Sequence, residues 1–194
     1  KVVVADSTLH GVGVFAIKRI KRGEVVTIYP SHMAGYEAMS ATTGAKIVDL
    51  RIPGQHREAY QKLGTDLLRY EFVDNGLHIV GIPDVRYPAF LGHLINDGSD
   101  ISSRDQYLKT CLVRNNTIFN CYRKVCYVQA VRDIPPGEEL TVAYGDTYWK
   151  DQDETKLCHT CRNWGTQMKK CSRCQKTLYC CRACQKADWG THKN

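Results

Sequence analysis

Polar and apolar positions alternate with a period of two along several stretches of this chain, the pattern of strands with one buried face. The clearest is Gly137-Glu138-Glu139-Leu140-Thr141-Val142-Ala143-Tyr144-Gly145. Pro135-Pro136-Gly137 turns into it, because proline presets φ and glycine takes backbone shapes that other residues avoid. Leu140, Val142 and Tyr144 share one face, so the pattern predicts a tyrosine at the end of a buried strand. A tyrosine there either packs in the core with its hydroxyl at the surface or looks into a cleft. The stretch also has an echo. Residues 16–28 read AIKRIKRGEVVTI and residues 130–142 read AVRDIPPGEELTV, at an offset of 114. Each reads as strand, glycine turn, acidic residue and a strand closing on tyrosine. Tyr29 comes one residue earlier than Tyr144, which reverses its face. The pattern predicts two similar hairpins in one β-rich fold.

The remaining pattern fills in around these. Residues 1–29 read as strands, with Leu9-His10-Gly11-Val12-Gly13-Val14-Phe15-Ala16 holding a glycine turn that lets backbone approach a ligand. It is not a dinucleotide fingerprint, because the third glycine and the following helix are missing. Gly35 to Gly44 reads as loop or short helix, and His56 to Tyr70 has helical apolar spacing interrupted by Gly64. Asp74-Asn75-Gly76 marks a hairpin within residues 70–82. A short helix running into a loop is expected from Pro88 to Gly98, with His93 a core histidine. Residues 99–110 read as a polar surface excursion and 111–131 as strands, with Cys111, Cys121 and Cys126 as small buried hydrophobes.

Composition changes the picture at one end of the chain. Its 194 residues suffice for one ordinary core and a small satellite. No apolar run approaches the roughly 20 residues that span a bilayer. No signal peptide opens the chain, and it begins at Lys1 without methionine, as a piece trimmed from a longer protein would. Of the ten cysteines, seven fall between Cys158 and Cys184, at the spacing of metal ligands rather than disulfides. Residues 156–194 hold nine Lys/Arg and one acid, a formal +8, while the remainder carries a formal −1.

Three segments, taken together and in this order, resemble the SET-domain methyltransferases: HGVGVFA the first glycine motif, GHLINDG the Asn-His-Ser motif, and ELTVAYG the closing motif. The resemblance covers about residues 3–149. It implies a mainly β fold with a few short helices, in which small twisted sheets form a knot-like core, and a protein-lysine N-methyltransferase that uses S-adenosylmethionine. Backbone around His10, Gly11, Val12 and Gly13 would hold the methionine end of that cofactor, and Asn96 with the backbone of Asp97 would hold it further along. Tyr144 would face the reacting methyl and Tyr29 would line the lysine channel. The family's Asn with an aromatic three residues on matches Asn116-Thr117-Ile118-Phe119, which puts Phe119 in that channel. Asp97-Gly98 stands where His-Ser is usual, and no cysteine triplet follows Gly145. The channel is then closed in another way, for which Tyr148 and Trp149 are candidates as aromatic cover of the cofactor, if they are not core packing.

The tail carries its own motif. Cys158-x2-Cys161, Cys171-x2-Cys174, Cys180-x3-Cys184 and His192 pair short spacings as zinc sites do. About 37 residues cannot build a core alone, so metal must supply folding energy. The pattern resembles the MYND finger, including Tyr179 before Cys180, Gln185 after Cys184 and Trp189 before His192. The resemblance implies two interleaved zinc ions, one on Cys158, Cys161, Cys180 and Cys184, the other on Cys171, Cys174 and His192. The eighth ligand would fall beyond Asn194, and Cys181 is spare.

The sequence therefore predicts a SET methyltransferase domain over residues 1–150 and a small zinc-stabilised MYND-type finger over 156–194, in the nucleus or the cytoplasm and not in a membrane. A protein with a target lysine is the expected substrate, histone or otherwise. The basic finger suits docking of an acidic or proline-rich protein partner, with nucleic acid the other reading. The rivals are an interaction scaffold with weak or no turnover and a methyltransferase for another side chain. Substrate choice falls in residues 35–90, which carry no motif.

Overall fold

The computed structural model describes residues 1–63, 71–74, 76–82, 89–123, 125–152 and 155–192, with the backbone alone at 46, 47, 63 and 74. The chain is mainly β, in small sheets with a few short helices. It divides into two compact units, residues 1–96 with 116–140 and residues 97–115 with 141–194. The division does not follow the 150–156 boundary read from the sequence. No helix among the described residues is long and apolar enough to cross a membrane.

The first unit holds three sheets. Strands β1 (Val2–Asp6), β2 (Val12–Ala16) and β10 (Glu139–Leu140) form one, in the order β1-β2-β10. Strands β3 (Val25–Ile28), β8 (Thr117–Tyr122) and β9 (Val125–Ala130) form the second, in the order β3-β9-β8. Strands β4 (Met33–Met39), β5 (Lys46–Arg51), β6 (Glu71–Asp74) and β7 (Leu77–Val80) form the third, in the order β5-β4-β7-β6.

The echoed segments are not two hairpins. Their strands exchange partners: β2 pairs with β10 and β3 with β9. Between the strands the two turns clasp each other about a local two-fold. Ile20 and Ile134, themselves 114 apart, exchange both backbone hydrogen bonds, at 3.0 and 2.9 Å. Each remaining bond occurs twice. The amide of Gly23 donates to Ala130 O at 2.8 Å and that of Gly137 to Ala16 O at 2.7 Å; the amide of Ala130 donates to Glu24 O at 3.0 Å and that of Ala16 to Glu138 O at 2.9 Å. Gly23 and Gly137 share a left-handed backbone, φ 83° and 85°, which the turn demands of glycine. Ile20, Ile134, Val14, Val128 and Leu140 are fully buried around this clasp. Each such aliphatic side chain contributes about 1.5–3 kcal/mol.

Further readings need correction. Residues 35–39 are not loop or helix but the body of β4, which pairs with β5 across a turn at Ser40–Gly44, where the loop reading holds. The strand before Tyr144 ends at Leu140, and both Thr141 and Val142 are buried, so one exposed face is not preserved there. The polar stretch after residue 99 enters an eleven-residue helix, α2 (Arg104–Arg114), capped by the Ser103 hydroxyl and anchored by buried Tyr107. Cys121 and Cys126 are joined by a disulfide, being directly opposed on β8 and β9 with Cα atoms 4.2 Å apart. Cys111, read as a buried residue on a strand, lies on α2 and is only half-buried. In other places the pattern holds: α1 (Arg57–Leu63) begins the expected helix, whose remainder lies outside the described residues, and Gly76 turns the β6–β7 hairpin at φ 75°. A 3₁₀ turn spans Gly92–Leu94.

The second unit contains α2, α3 (Asp146–Lys150), α4 (Arg182–His192) and two ribbons. These are β11 (Lys156–Leu157) with β12 (Trp164–Gly165), and β13 (Lys169–Lys170) with β14 (Leu178–Tyr179). Its finger is centred on buried Cys158, Cys171 and Tyr179 rather than on aliphatic side chains.

Candidate active site and metal centres

In the first unit the glycine turn is tied down from a distance. Asn96, 8% exposed, donates its amide to His10 O at 3.1 Å, Val12 O at 3.0 Å and Glu139 Oε1 at 2.9 Å. Glu139 also accepts the Ser7 hydroxyl at 2.8 and 2.9 Å. Its carboxylate lies so close over Gly13 that an added Cβ would stand 2.1 Å from Oε1, so a larger residue there would displace the carboxylate from its place. Gly11 has φ 49° with nothing within 4 Å of an added Cβ, which leaves the turn open on that side. His10, Gly11 and Val12 are exposed.

Tyr29 and Phe119 come together in the same unit. Tyr29 is 6% exposed, and its amide donates to Cys126 O at 2.8 Å. Its ring meets Phe119 edge-on at 5.6 Å, Phe72 at 5.6 Å and His93 at 6.2 Å, while Phe72 and Phe119 lie 4.9 Å apart. His93 is buried, as expected, against Gly81 as well as Tyr29. Asn116, 1% exposed, immediately precedes the strand that carries Phe119 and donates to Glu138 Oε1 at 2.9 Å and Glu139 O at 2.8 Å. Beyond Ile79, which packs on Tyr29, a cavity of about 560 Å³ opens over β4, β5 and β7, lined by Ser31, Tyr36, Asp49 and Arg51 among others. The motif-free segment thus forms a concave, charged surface.

In the second unit Asp97 is a hub. Its Oδ2 accepts the Tyr144 amide at 2.9 Å, the Trp149 indole at 2.9 Å and the Tyr107 hydroxyl at 3.2 Å. Its Oδ1 accepts the Ser99 amide at 2.9 Å, the Ser99 hydroxyl, and Asn115 Nδ2 at 3.3 Å. Tyr107 O–H in turn accepts the Gly145 amide at 2.7 Å. Burial, reinforced by the Asp97 carboxylate, pushes the Tyr107 phenol above its ordinary range, so it stays a donor. The Tyr144 ring stacks on Trp149 at 5.8 Å and 18°, and meets Tyr148 edge-on at 4.8 Å. The departure from His-Ser is therefore not an empty position: the carboxylate at 97 fixes the Tyr144 main chain and the Trp149 ring. Gly98 fits because Asn115 Oδ1 and Thr141 Cβ lie 3.2 Å from where a Cβ would stand.

The ligands fall into the two groups that the MYND resemblance implies, Cys158, Cys161, Cys180 and Cys184 in one and Cys171, Cys174 and His192 in the other, with the ligand atoms of each within 4.8 Å of one another. The Sγ separations Cys161–Cys180 and Cys180–Cys184 are 3.6 Å, and Cys174 Sγ to His192 Nε2 is 3.3 Å. A tetrahedral zinc with bonds of about 2.3 Å spaces its sulfurs about 3.8 Å apart, so the donor sets fit the ion. Backbone amides of Lys176 and Thr177 point at Cys174 Sγ, both at 3.4 Å, and the Thr177 amide leads in lowering that thiol to about 6. Cys181 is exposed and joins neither group.

Several working residues carried no sequence signal. Asp146 accepts Arg104 Nε at 3.1 and 2.9 Å and the Trp164 indole at 2.6 Å, partners 42 and 18 residues away. Glu139 alone had a hint, since it follows the acidic position of the echo.

The SET domain family model matches residues 11–145, and the MYND finger model matches residues 158–194. Among curated proteins, SET domain-containing protein 14 of Caenorhabditis elegans is 36% identical over 61 residues, 31% of this chain and 14% of that protein. Histone-lysine N-methyltransferase SET9 of Phaeosphaeria nodorum is 50% identical over 36 residues, 19% of this chain and 5% of that protein. The matched stretches are thus small parts of both relatives. A solved structure from Plasmodium falciparum, named for histone methyltransferase activity, is 19% identical and covers 77% of this chain and 96% of its own, with a TM-score of 0.42, too low to decide anything.

Proposed function

We propose that this chain, which belongs to the SET domain family, is an S-adenosylmethionine-dependent protein-lysine N-methyltransferase over residues 1–150, with a MYND-type zinc finger over 156–194. One observation carries the reading. Two consecutive residues of the Asn motif are anchors: Asn96 fixes the His10–Gly13 turn, and Asp97 fixes Tyr144 and Trp149. Family resemblance gives those same residues to the cofactor and the reacting methyl. The name of the P. nodorum relative favours lysine as the methylated side chain.

S-adenosylmethionine, when bound, supplies an electrophilic methyl on a sulfonium. The His10–Gly13 main chain and Asn96 would hold its methionine end, and the Asp97 main chain and the Trp149 ring are the further candidates for its contacts. Tyr29 and Phe119 line the channel of the target lysine. Their aromatic surroundings desolvate the amine, and free lysine, with a pKa of about 10.4, must lose its proton before it can attack. Desolvation favours the neutral form without a strong base. The Tyr144 hydroxyl orients the nucleophile and the methyl, so positioning supplies much of the acceleration. Cys158, Cys161, Cys180 and Cys184 would hold one zinc ion, and Cys171, Cys174 and His192 a second; the ions would shape the finger and take no direct part in the chemistry. The basic finger docks an acidic or proline-rich protein, and the chain works in the nucleus or the cytoplasm.

The test is incubation with methyl-labelled cofactor and nuclear or cytosolic extract, followed by identification of the labelled residue. Lysine should carry the label. Tyr144→Phe should fold normally and lose at least about tenfold in rate. Label on another side chain, or wild-type rates in Tyr144→Phe, would overturn the reading.

A further inference from the structure

The second unit joins the finger to the segments that carry Asp97 and Tyr144, and the joint is Trp164. This residue is 1% exposed, although the two-residue strand that bears it cannot bury an indole alone. Its ring lies 5.6 Å from that of Tyr107, and its Nε1–H donates to Asp146 Oδ1 at 2.6 Å. The next residue fits just as tightly. A Cβ on Gly165 would stand 2.6 Å from Ser102 O and 3.0 Å from Ser103 Cα, so β12 sits on the capped start of α2.

Both groups that Trp164 touches lead to Tyr144. Tyr107 receives the Gly145 amide at 2.7 Å and donates to Asp97, which receives the Tyr144 amide. Asp146 is the first residue of α3, and α3 carries the Tyr148 and Trp149 rings that flank Tyr144. A five-residue helix has no stability of its own, so its place is set by what grips it, here Arg104 and Trp164 on Asp146. On the other side, Trp164 pairs with Leu157, and the Cys158 amide donates to Asn163 O at 2.8 Å. The β11–β12 hairpin therefore closes around Cys158 and Cys161, two members of the four-cysteine group.

We infer that Trp164 is a positioning residue for methyl transfer, through which the metal-organised finger sets the place of Tyr144. The finger is then part of the catalytic framework and not only a docking module. The inference rests on the role given to Tyr144 above.

The experiment uses the full chain with both metals bound. Trp164→Phe keeps a ring against Tyr107 and removes the donor to Asp146. Metal content, the backbone amide resonances of Tyr144 and Gly145, the Trp149 indole resonance, and the initial rate against peptide and cofactor are measured together. The variant should keep its metal, shift those three resonances, and lose about tenfold in kcat, the value of one buried hydrogen bond to a charged group, with KM little changed. Asp146→Asn, which can still accept from Trp164, should lie between. Resonances that stay in place overturn the inference, whether or not the wild-type protein methylates anything. Shifted resonances with a wild-type rate also overturn it. Shifted resonances in a protein that transfers no methyl support the coupling and count against the proposed reaction instead.

Discussion

The two units solve the same problem, fixing a few side chains, with opposite means. In the first, the ties are long in sequence and the filling is apolar. Asn96 reaches carbonyls 84 and 86 residues away, and the clasp joins segments 114 apart around buried Ile20 and Ile134. In the finger, the ties are short and the filling is the ligands themselves, with Cys158 and Cys171 wholly buried. An apolar core loses stability by degrees as groups are removed. A core of metal ligands has nothing left to hold it when the ion goes.

The sharpest way to break the comparison is chelation. Structural zinc is worth about 10–16 kcal/mol in small fingers, comparable to a domain's whole net stability. The three-ligand group of Cys171, Cys174 and His192 should release its ion first, and the four-cysteine group later. Hydrogen exchange should then show amides of residues 156–192 unprotected, with β2, β3, β9 and β10 still protected. A finger that stays folded without metal, or two ions that leave together, would erase the contrast.

A single substitution in the first unit should do less. Asn96→Ala leaves the His10 and Val12 carbonyls and the Glu139 carboxylate without their donor. The two carbonyls lie on an exposed turn and Glu139 keeps the Ser7 hydroxyl, so the loss is that of ordinary hydrogen bonds at about 0.5–1.5 kcal/mol each, and the variant should remain folded with a melting point lowered by several degrees. Its affinity for S-adenosylmethionine should fall more than its stability, because the turn loses its shape. Calorimetry of melting and of cofactor binding checks both. Unchanged cofactor affinity would remove Asn96 from the site.

The same contrast explains what could be read in advance. Ligand spacings of three and four residues are local, so the short cysteine pairs were legible from the spacing, while their interleaving into two groups came from the resemblance to the MYND finger. The echo at 114 was visible too, but pattern cannot say which strand pairs with which, and the exchange of partners between β2, β3, β9 and β10 appears only in three dimensions. Tyr29, Asn96 and Tyr144 were found by motif. Asp97 was found as main chain, and its side-chain role was not, because nothing near it in sequence announces Trp149 and Tyr107 as donors. Arg104, Asp146 and Trp164 have no motif, and α2 was missed because its exposed Leu108, Leu112 and Val113 hide the helical period that Tyr107 anchors. The cysteine pair on β8 and β9 was read as two buried hydrophobes, since five residues of separation do not reveal a hairpin.

The smallest effect expected is on how many methyls are added. Phe119 packs against Tyr29 and Phe72, and Cys121 and Cys126 lie against the same cluster, so the wall beside Tyr29 is apolar on this side. A tyrosine at 119 would carry a hydroxyl able to hold the amine directly or through a water, and would fill the space that a methylated amine needs in order to turn. With phenylalanine that bond is absent, and a second transfer meets no added barrier. One such hydrogen bond is worth about 0.5–1.5 kcal/mol, up to roughly tenfold in rate. The wild-type enzyme should therefore yield di- or trimethyl-lysine at long times with excess cofactor, and Phe119→Tyr should shift the product toward monomethyl while the first transfer stays within that tenfold. Mass spectrometry of one peptide reacted with both proteins decides it. Monomethyl product alone from the wild-type chain would mean that Phe119 is packing and that the limit is set elsewhere, whereas a shift confined to the second and third methyls would tie product number to this one ring.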